Sequence, residues 1–547
     1  MAAVVALPAL SACTTQESPK TTDHPNIIFF LLDDFGWMDS SVAYGEQAYE
    51  RNAMFDTPNM ERLARMGVVM TSAYACPVST PTRTSIMSGM HAARTHITSF
   101  TAPLKDIPTD GAGGGKIATI FAHDESPLRR GEWNWNGLSP VEGYNNTAVA
   151  TPLVQLLQDA GYYTLHVGKA HWAVAGTPGA TPYNMGFLVN IAGTSVGHPQ
   201  SYQSADYYGN MDDLWSYASL QNMVQYYGTD THLTQAVTQE ALRLMDWPVE
   251  HGIPFFLNLC HFATHTPVQA DMRFYQKYLD RGLDEGQARF ASMVEGADKS
   301  LGEVLDYVES KGIADNTIII FYGDNGGHSV DNTKGGGVHT QNLPLREGKG
   351  SCYEGGIREP MIWYIPGRTA PGTRVNTPVT CEDLYPTILE LAGVKDYSTV
   401  QRVDGKSIVK LLTDGSQYVA RHSASCGGLT QIEANRLEIP ESVSGIDPLR
   451  PMIFHYPHQW RVEQQKDIDY LSSLRRGDWK IVYRMADKKV ELYNLASDIA
   501  ERNDLSARYP ERVQAMAREL GDSLRAWNAT MPVWKSTGRS VAMPDEI

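Results

Sequence analysis

The chain has 547 residues, of which 42% are hydrophobic and 10% are aromatic, so it can bury ample core and we expect a large domain with a smaller one beside it. Its 46 basic residues stand against 62 acidic residues, and the formal net charge of −16 argues against a surface that binds nucleic acid or anionic membranes. An anionic substrate remains compatible with this balance if its pocket is locally basic.

The first residues resemble the end of a bacterial lipoprotein signal. An apolar run over residues 2–10 is followed by Ser11-Ala12-Cys13 and then by a polar stretch, so Cys13 is the candidate lipid-bearing residue. No Lys or Arg precedes the apolar run, and a frayed apolar tail is the alternative. We predict that residues 1–23 are a signal remnant and tether of a periplasmic or outer-membrane-tethered bacterial protein. No other stretch reaches the roughly 18 continuous apolar residues of a transmembrane helix.

The next segment predicts a strand and then a helix. Residues 26–32 are apolar without alternation, which is typical of a strand buried on both faces of a parallel sheet, and Asp33-Asp34 follow it. A predicted helix opens after Thr57, which we expect to be its N-cap, and closes at Gly67.

Residues 75–89 hold a serine in a distinctive pattern. Ser79 begins a Ser-x-Pro-x-Arg motif that ends at Arg83, and we predict a helix that starts near Thr82. The residues after Cys76 do not fit the same motif.

The chain has six cysteines: Cys13, Cys76, Cys260, Cys352, Cys381 and Cys426. They are too few and too scattered for a disulfide framework or a zinc site, and we predict that most of them are buried thiols.

Two further strands lead into basic side chains. A helix predicted over residues 151–161 precedes a strand over residues 162–167. Residues 254–260 are another candidate for a buried strand. The chemically active residues that follow are Lys169 and His171 after the first strand and His265 after the second.

A fourth strand ends in an acid and an amide. Apolar residues at helical spacing predict a helix around residues 290–308, and a strand over residues 317–322 then stops at Asp324-Asn325. Ligands of open α/β sheets bind beyond the carboxyl ends of the strands, so we predict a site where these four strands end. The expected fold class is α/β, with a large mixed and mostly parallel sheet sandwiched by helices.

The pattern changes near residue 415. Short strands at residues 479–483 and 491–494 precede a helix at residues 510–527, which predicts a smaller C-terminal α+β subdomain with an antiparallel sheet and a packed helix. The predicted boundaries are residues 24–415 for the catalytic domain and residues 416–547 for the subdomain.

Side chains at two of the strand ends offer only hard oxygen atoms: Asp33, Asp34, Asp324 and Asn325. Such ligands suit Ca²⁺ or Mg²⁺ rather than zinc or copper. Either pair alone is more often a turn or a helix cap, but two such pairs at the ends of two apolar strands favour a divalent cation.

In their order along the chain these motifs resemble those of the formylglycine-dependent sulfatases, which have an alkaline-phosphatase-like fold. In that family the first residue of the motif, here Ser79, is oxidised to formylglycine and becomes the nucleophile. The resemblance implies that the Asp and Asn pairs hold one calcium ion that binds a sulfate oxygen. It covers roughly residues 24–530.

The resemblance also implies roles for the other residues. Lys169 and Lys349 would contact the sulfate, and His171 would lie near the nucleophile's hydroxyl. Arg83 would hold the nucleophile and the oxygens on the calcium side in place. His265 matches the histidine that protonates the leaving oxygen. The formylglycine hydrate would offer one hydroxyl that attacks sulfur and another that expels sulfate and restores the aldehyde.

The expected function is hydrolysis of sulfate monoesters on the sugars of sulfated glycans, with exo or endo action. The alternatives are a phosphonate or phosphate monoester hydrolase of the same superfamily, and a non-catalytic glycan-binding protein in which Ser79 is not matured. The expected partners are a sulfated carbohydrate and a formylglycine-generating maturase. Ser79 is either natural or a replacement for cysteine, and the sequence leaves both open.

Overall fold

The computed structural model describes residues 24–102, 126–210, 220–328, 342–459 and 469–547. The predicted tether over residues 1–23, with Cys13, lies outside these ranges and stays a prediction. Among the helices in the described ranges, none combines the length and apolar character needed to cross a bilayer.

The structure alternates strands and helices along the chain. The strands are β1 (Asn26–Leu32), β2 (Val68–Tyr74), β3 (Leu128–Arg129), β4 (Gly137–Ser139), β5 (Thr147–Val149), β6 (Tyr163–Gly168), β7 (Val189–Ile191), β8 (Phe255–Cys260), β9 (Thr317–Gly323), β10 (Arg358–Tyr364), β11 (Thr373–Val375), β12 (Val379–Thr380), β13 (Met452–Tyr456), β14 (Leu471–Arg476), β15 (Trp479–Arg484), β16 (Lys489–Asn494) and β17 (Val533–Trp534). The α-helices are α1 (Pro58–Met66), α2 (Ser79–Ser88), α3 (Ala92–Thr95), α4 (Leu153–Asp159), α5 (Leu233–Glu250), α6 (Tyr275–Asp280), α7 (Glu285–Ser310), α8 (Glu354–Ile357), α9 (Leu384–Leu391), α10 (Ser416–Ser425), α11 (Gln431–Arg436), α12 (Glu441–Ser444) and α13 (Pro510–Ala526).

A nine-stranded sheet organises the described part of the chain. Its strands lie in the order β11, β2, β10, β9, β1, β8, β6 and β7, with β12 also paired to β2. β10 is antiparallel to both of its neighbours, whereas the other pairs are parallel. The predicted mixed and mostly parallel sheet is therefore confirmed.

Strand β1 shows why this sheet is covered on both faces. All seven of its residues are buried. Ile27, Phe29 and Leu31 pack into one hydrophobic cluster, which includes residues of α2, α4 and α9. The intervening residues of the strand pack into a second cluster with residues of α1, α5 and α7. Because successive strand residues point to opposite faces, an uninterrupted apolar run requires helices on both sides.

Two helix starts differ from the prediction. The side chain of Thr57 makes no cap at α1, and instead the carboxylate of Asp298 accepts the backbone N–H groups of Asn59 at 3.0 Å and Met60 at 2.7 Å. Helix α2 begins at Ser79 rather than near Thr82. Ser79 therefore lies in the first turn of its helix.

The C-terminal part forms a smaller sheet. Strands β13 to β16 pair antiparallel in chain order, and Leu520 and Leu524 of α13 share a core cluster with Leu474 and Ile481. This confirms the predicted antiparallel sheet with a packed helix. Val419 of α10 belongs to the core of the large sheet, so residues just after 415 pack there, and the predicted domain boundary stays a prediction.

The five cysteines in the described ranges are all free thiols. Four of them are buried, and Cys426 is exposed.

Candidate active site

Parallel strands bring the predicted polar residues to one edge of the large sheet. β9, β1, β8 and β6 are adjacent, and their carboxyl ends align, with Leu32 opposite Gly323 and Gly168 opposite Cys260. The residues that follow these ends are Asp33 and Asp34 after β1, Lys169 and His171 after β6, His265 after β8, and Asp324 and Asn325 after β9.

Ser79 faces this edge from the first turn of α2, and it is buried. Its hydroxyl oxygen lies 3.1 Å from Oδ1 of Asp33 and 2.9 Å from Oδ1 of Asn325. The ammonium of Lys169 donates to the same hydroxyl at 3.1 Å. The N-terminus of a helix also favours negative charge, so position 79 combines oxygen ligands with a positive field.

Each of the three carboxylates is held by its own cation. Lys169 Nζ lies 2.7 Å from Asp33 Oδ2, Lys349 Nζ lies 2.5 Å from Asp34 Oδ1, and Arg83 Nε lies 2.8 Å from Asp324 Oδ2. All six side chains are buried. A buried cluster with three negative and three positive charges avoids the large desolvation cost of an unpaired charge.

His265 lies at the open side of the cluster. Its side chain is 14% exposed, more than those of the neighbouring acids and lysines. Nε2 of His265 is 3.6 Å from Oδ2 of Asp34, which is too long for a hydrogen bond. That oxygen of Asp34 is buried without a hydrogen-bond partner among the described residues.

The donor set fits a hard divalent cation. Asp33, Asp34 and His265 each offer one atom within 4.8 Å of the others. Asp324 Oδ1 accepts the backbone N–H of Asp34 at 3.2 Å, and Asn325 Nδ2 donates to Asp34 Oδ1 at 2.8 Å. Carboxylate and amide oxygens are the ligands that calcium prefers. Oδ2 of Asp34, which is buried without a hydrogen-bond partner among the described residues, is an oxygen that a cation could bind. Asp33 and Asp34 therefore fit the predicted cation, whereas Asp324 and Asn325 contact Asp34 through hydrogen bonds and their part in binding the ion stays a prediction.

Lys169 reaches the cluster through an unusual strand end. Gly168 has φ +102°, and its α-carbon approaches the carbonyl of Cys260 so closely that a Cβ would lie 1.8 Å from that oxygen. The N–H of Lys169 donates to the same oxygen at 2.8 Å. Glycine is required here, because a side chain would push the lysine away from the site.

Two site residues hold strained backbone. Asp34 has φ +54° and His171 has φ +55°, in the left-handed region that residues other than glycine seldom occupy. Such conformations cost of order 1–3 kcal/mol each and persist where the surrounding contacts demand them. Asp34 bonds to Asn325, a contact of Ser79, and His171 lies beside Thr80, the residue after Ser79.

Arg83 contacts one of the predicted cation ligands, and His171 lies beside the residue that follows Ser79. Arg83 bonds Asp324 and the carbonyl of Lys169 at 3.0 Å, so it orders the residues around Ser79 rather than Ser79 itself. The ring of His171 lies 3.0 Å from the carbonyl of Thr101 and 3.3 Å from the hydroxyl of Thr80. The expected place of His171 near the Ser79 hydroxyl stays a prediction.

Burial and charge shift the acid–base properties of the cluster. Burial raises the pKa of Asp33, and Lys169 opposes this shift. Burial also acts to raise the pKa of Asp324, but Arg83 and the two lysines outweigh it and leave that pKa lowered. Burial lowers the pKa of His265, and Lys349 and Lys169 lower it further. A bound anionic substrate would oppose this lowering at His265.

Sequence reasoning missed several supporting residues. The hydroxyl of Thr264 donates to the carbonyl of Asp34 at 3.1 Å, and Thr80 accepts the N–H of Thr101 at 3.1 Å. Thr264 lies in the same short segment as His265, which was a usable signal. Thr101 comes from a loop without any motif, and only the fold brings it to the site.

Comparison with known proteins gives the family. Residues 25–394, more than half of the chain, match the sulfatase family model. A protein of Formosa agariphila described as a sulfatase is 29% identical over 587 residues, covering 97% of this chain and 94% of that protein. The N-acetylgalactosamine-6-sulfatase of Rattus norvegicus is 29% identical over 408 residues, covering 72% of this chain and 66% of that protein, slightly less than two thirds of its length.

A solved structure agrees with these relatives. The crystal structure of the protein named Ps i-CgsB, in complex with k-i-k-neocarrahexaose, has a TM-score of 0.63 and 25% sequence identity. It covers 92% of this chain and 93% of that chain. With a family model that matches residues 25–394 and a relative described as a sulfatase that is matched over 94% of its length, the chain belongs to the sulfatase family and is a sulfuric ester hydrolase.

Proposed function

We propose that the protein hydrolyses sulfate monoesters on carbohydrate, with formylglycine at position 79 as the nucleophile and one calcium ion as cofactor. The observation that carries this proposal is the position of the Ser79 hydroxyl, within 3.1 Å of Asp33, Asn325 and Lys169. A serine hydroxyl alone would form a sulfate ester that is hard to release, whereas the hydrated aldehyde supplies a second hydroxyl for its release.

Asp33, Asp34, Asp324 and Asn325 would hold the calcium ion. When bound, the ion would withdraw negative charge from the sulfate through one of its oxygens. The hard-oxygen donor set and the orphaned oxygen of Asp34 support this assignment.

The lysines supply fixed positive charge for an anionic substrate. Lys169 lies between Asp33 and the nucleophile, and Lys349 lies against Asp34, so both ammonium groups stay in place before substrate enters. Preorganised charge of this kind stabilises a developing anion without reorganising during the reaction. We assign sulfate contact to both lysines, and we assign Arg83 to holding Asp324.

His265 is the proposed proton donor to the leaving oxygen. Its ring sits at the exposed side of the cluster, where a sugar attached to the sulfate would lie outward from the buried lysines. A sugar hydroxyl is a poor leaving group and needs a proton, whereas a phenol leaves without one. A proton donor on this side of the cluster would therefore accelerate the hydrolysis of sugar sulfates more than that of aryl sulfates. His171 lies 3.3 Å from the hydroxyl of Thr80, the residue after Ser79, and we propose that it acts near the nucleophile.

The carbohydrate substrate is supported by the relatives. One is named for the sulfate of N-acetylgalactosamine, and a structural neighbour was solved with a neocarrahexaose. These names differ in sugar, so they support the substrate class and leave the sugar open. We further propose that a formylglycine-generating maturase modifies Ser79.

Substrate comparison tests the proposed reaction. The purified protein is assayed with defined O-sulfated mono- and disaccharides, and with phosphate and phosphonate monoesters of the same alcohols. We expect clear turnover of at least one sulfated sugar and slower turnover of every phosphorus ester. A strong preference for the phosphorus esters would overturn the proposal.

The role of His265 has an internal control. His265→Ala should slow a sugar sulfate by about 10²-fold or more, within the range of general acid catalysis, and should slow an aryl sulfate much less. A phenol leaves without a proton, so the aryl substrate reports on everything except proton donation. Equal losses on both substrates would remove His265 from this role.

We also propose a periplasmic or outer-membrane-tethered location, with Cys13 carrying the lipid. Cys13→Ser should move the protein from the membrane fraction to the soluble fraction of the host. Unchanged fractionation would contradict the tether.

A further inference from the structure

The loop after β7 packs against His265 through two of its side chains, His198 and Tyr202. On the basis of the proposed role of His265, we infer that His198 and Tyr202 are positioning residues that hold its ring toward the leaving oxygen. Tyr202 fixes the backbone at His265, and His198 fixes the plane of its ring.

Tyr202 braces the backbone on both sides of the proposed donor. Its hydroxyl lies 2.6 Å from the carbonyl oxygen of Phe262 and 2.9 Å from that of His265. The Tyr202 side chain is fully buried, and its ring stacks on His232 with centroids 5.3 Å apart. Burial raises the pKa of Tyr202, so the phenol stays protonated and keeps its donor hydrogen. One phenol therefore ties together the two ends of the turn that carries His265.

His198 covers one face of the imidazole. The two rings are parallel to within 2°, and their centroids are 5.3 Å apart. The other side of His198 is held by its own loop, where its Nδ1 lies 2.9 Å from the carbonyl oxygen of Pro199. A ring stacked in this way cannot turn about its χ2 angle without losing the contact.

The His265 ring also has neighbours outside this loop, Thr266 and Asp34. Nδ1 of His265 lies 3.0 Å from the carbonyl oxygen of Thr266 and 3.2 Å from its hydroxyl, and Nε2 faces Asp34. The protonated ring, with a hydrogen on each nitrogen, would donate the proton from Nε2. The distance of 3.6 Å from Nε2 to Asp34 is too long to fix the ring. A proton donor must lie within hydrogen-bond reach of the leaving oxygen, so a small rotation would matter.

The chain offers a matched control for Tyr202. Tyr208 lies in the same loop, is equally buried, and donates its hydroxyl to the carbonyl of Thr231 at 2.9 Å instead of to the His265 turn. Tyr202→Phe and Tyr208→Phe each remove one buried hydroxyl. Only the first removes a contact with the proposed donor.

The experiment measures kcat and KM of both variants on a sugar sulfate and on an aryl sulfate. We expect Tyr202→Phe to lower kcat on the sugar sulfate by about tenfold, a part of the roughly 10²–10⁴-fold that a positioned acid contributes, and to leave the aryl sulfate within about twofold. Tyr208→Phe should leave the ratio of the two rates unchanged. His198→Ala should lower the ratio of the sugar-sulfate rate to the aryl-sulfate rate. His198→Phe, which keeps a flat ring, should retain most of the wild-type ratio.

The inference is overturned if Tyr202→Phe keeps the wild-type ratio of the sugar-sulfate rate to the aryl-sulfate rate. This holds whether both rates are unchanged or both fall by the same factor, as loss of a merely structural hydroxyl would cause. His265→Ala, measured beside these variants, separates the two proposals. If His265→Ala changes the ratio and Tyr202→Phe does not, only the positioning role fails; if His265→Ala does not change it, the proposed acid fails.

Discussion

Gly168→Ala is the substitution whose effect follows most directly from the geometry of the strand end before Lys169. Gly168 has φ +102°, and an added Cβ would lie 1.8 Å from the carbonyl oxygen of Cys260. That oxygen belongs to the neighbouring strand β8 and accepts the N–H of Lys169. The added methyl group would therefore separate the backbone of Lys169 from the strand that holds it.

The magnitude has two parts. Left-handed backbone costs a residue with a side chain about 1–2 kcal/mol, and the loss of the Lys169 hydrogen bond adds about 1 kcal/mol, so the free energy of unfolding should fall by about 2–3 kcal/mol. Relief of the clash requires a shift of roughly 1 Å, and a misplacement of that size beside the reacting atoms costs about 10²-fold in rate. We expect kcat to fall by about this factor.

Gly161→Ala is the matched control. Gly161 has φ +90°, and a Cβ there would meet nothing within 4 Å. It precedes the same strand at the end remote from Lys169, so this variant has the backbone strain without the clash. Urea unfolding followed by circular dichroism should show a loss of about 1–2 kcal/mol, and kcat should stay at the wild-type value.

The comparison of the two variants decides the outcome. If the kcat of Gly168→Ala equals that of Gly161→Ala, the close approach of Gly168 to the carbonyl of Cys260 does not hold Lys169 in place. That result would refute the reasoning from geometry, even if both variants were destabilised.

Two further predictions concern the metal and the fold. Exhaustive chelation should abolish turnover and lower the melting temperature, because a bound ion stabilises the folded state by about 2.7 kcal/mol at 100 times its Kd. Added Ca²⁺ should restore both the turnover and the melting temperature. Full turnover of the metal-free protein would contradict the assigned site. Asp298→Ala removes the acceptor for the N–H groups of Asn59 and Met60 at the start of α1. This variant should lower the free energy of unfolding by about 2 kcal/mol and leave kcat unchanged. Wild-type stability in urea would show that α1 needs no such cap.

The central part of the sheet could be predicted because its strands bury both faces. β1 matches the predicted residues 26–32, since seven successive buried residues leave no room for polar alternation. β2 was missed although its seven residues are equally buried. The polar Thr71 and Ser72 interrupt its apolar run, and their hydroxyls bond to Asn376, which lies 305 and 304 residues away in sequence and which no local pattern shows.

The direction of β10 also depends on distant contacts. Its first residues are Arg358-Glu359-Pro360, which do not resemble a strand, and the Arg358 side chain is held by the carbonyl of Thr71 and by Glu354. Glu354 is four residues from Arg358, whereas the contact with Thr71 spans 287 residues and forms only when β10 pairs with β2. Nothing in the composition of the strand distinguishes a parallel from an antiparallel partner.

The site divides in the same way. Residues that follow strands, such as Asp33, Lys169 and Asp324, could be predicted because parallel strands align their carboxyl ends. Thr101, His198 and Tyr202 could not, because they lie in loops and gain their contacts from tertiary packing alone. The helix start at Ser79 was misplaced by three residues, since Pro81 lies in the first turn, where proline is tolerated.

Mass spectrometry of the peptide that contains residues 75–83 tests the central claim most directly. Formylglycine weighs about 2 Da less than serine, so conversion at position 79 is visible in the intact peptide. Preparations with different degrees of maturation should show kcat per chain in proportion to the converted fraction. Full sulfatase activity in a preparation that carries only serine at position 79 would contradict the account.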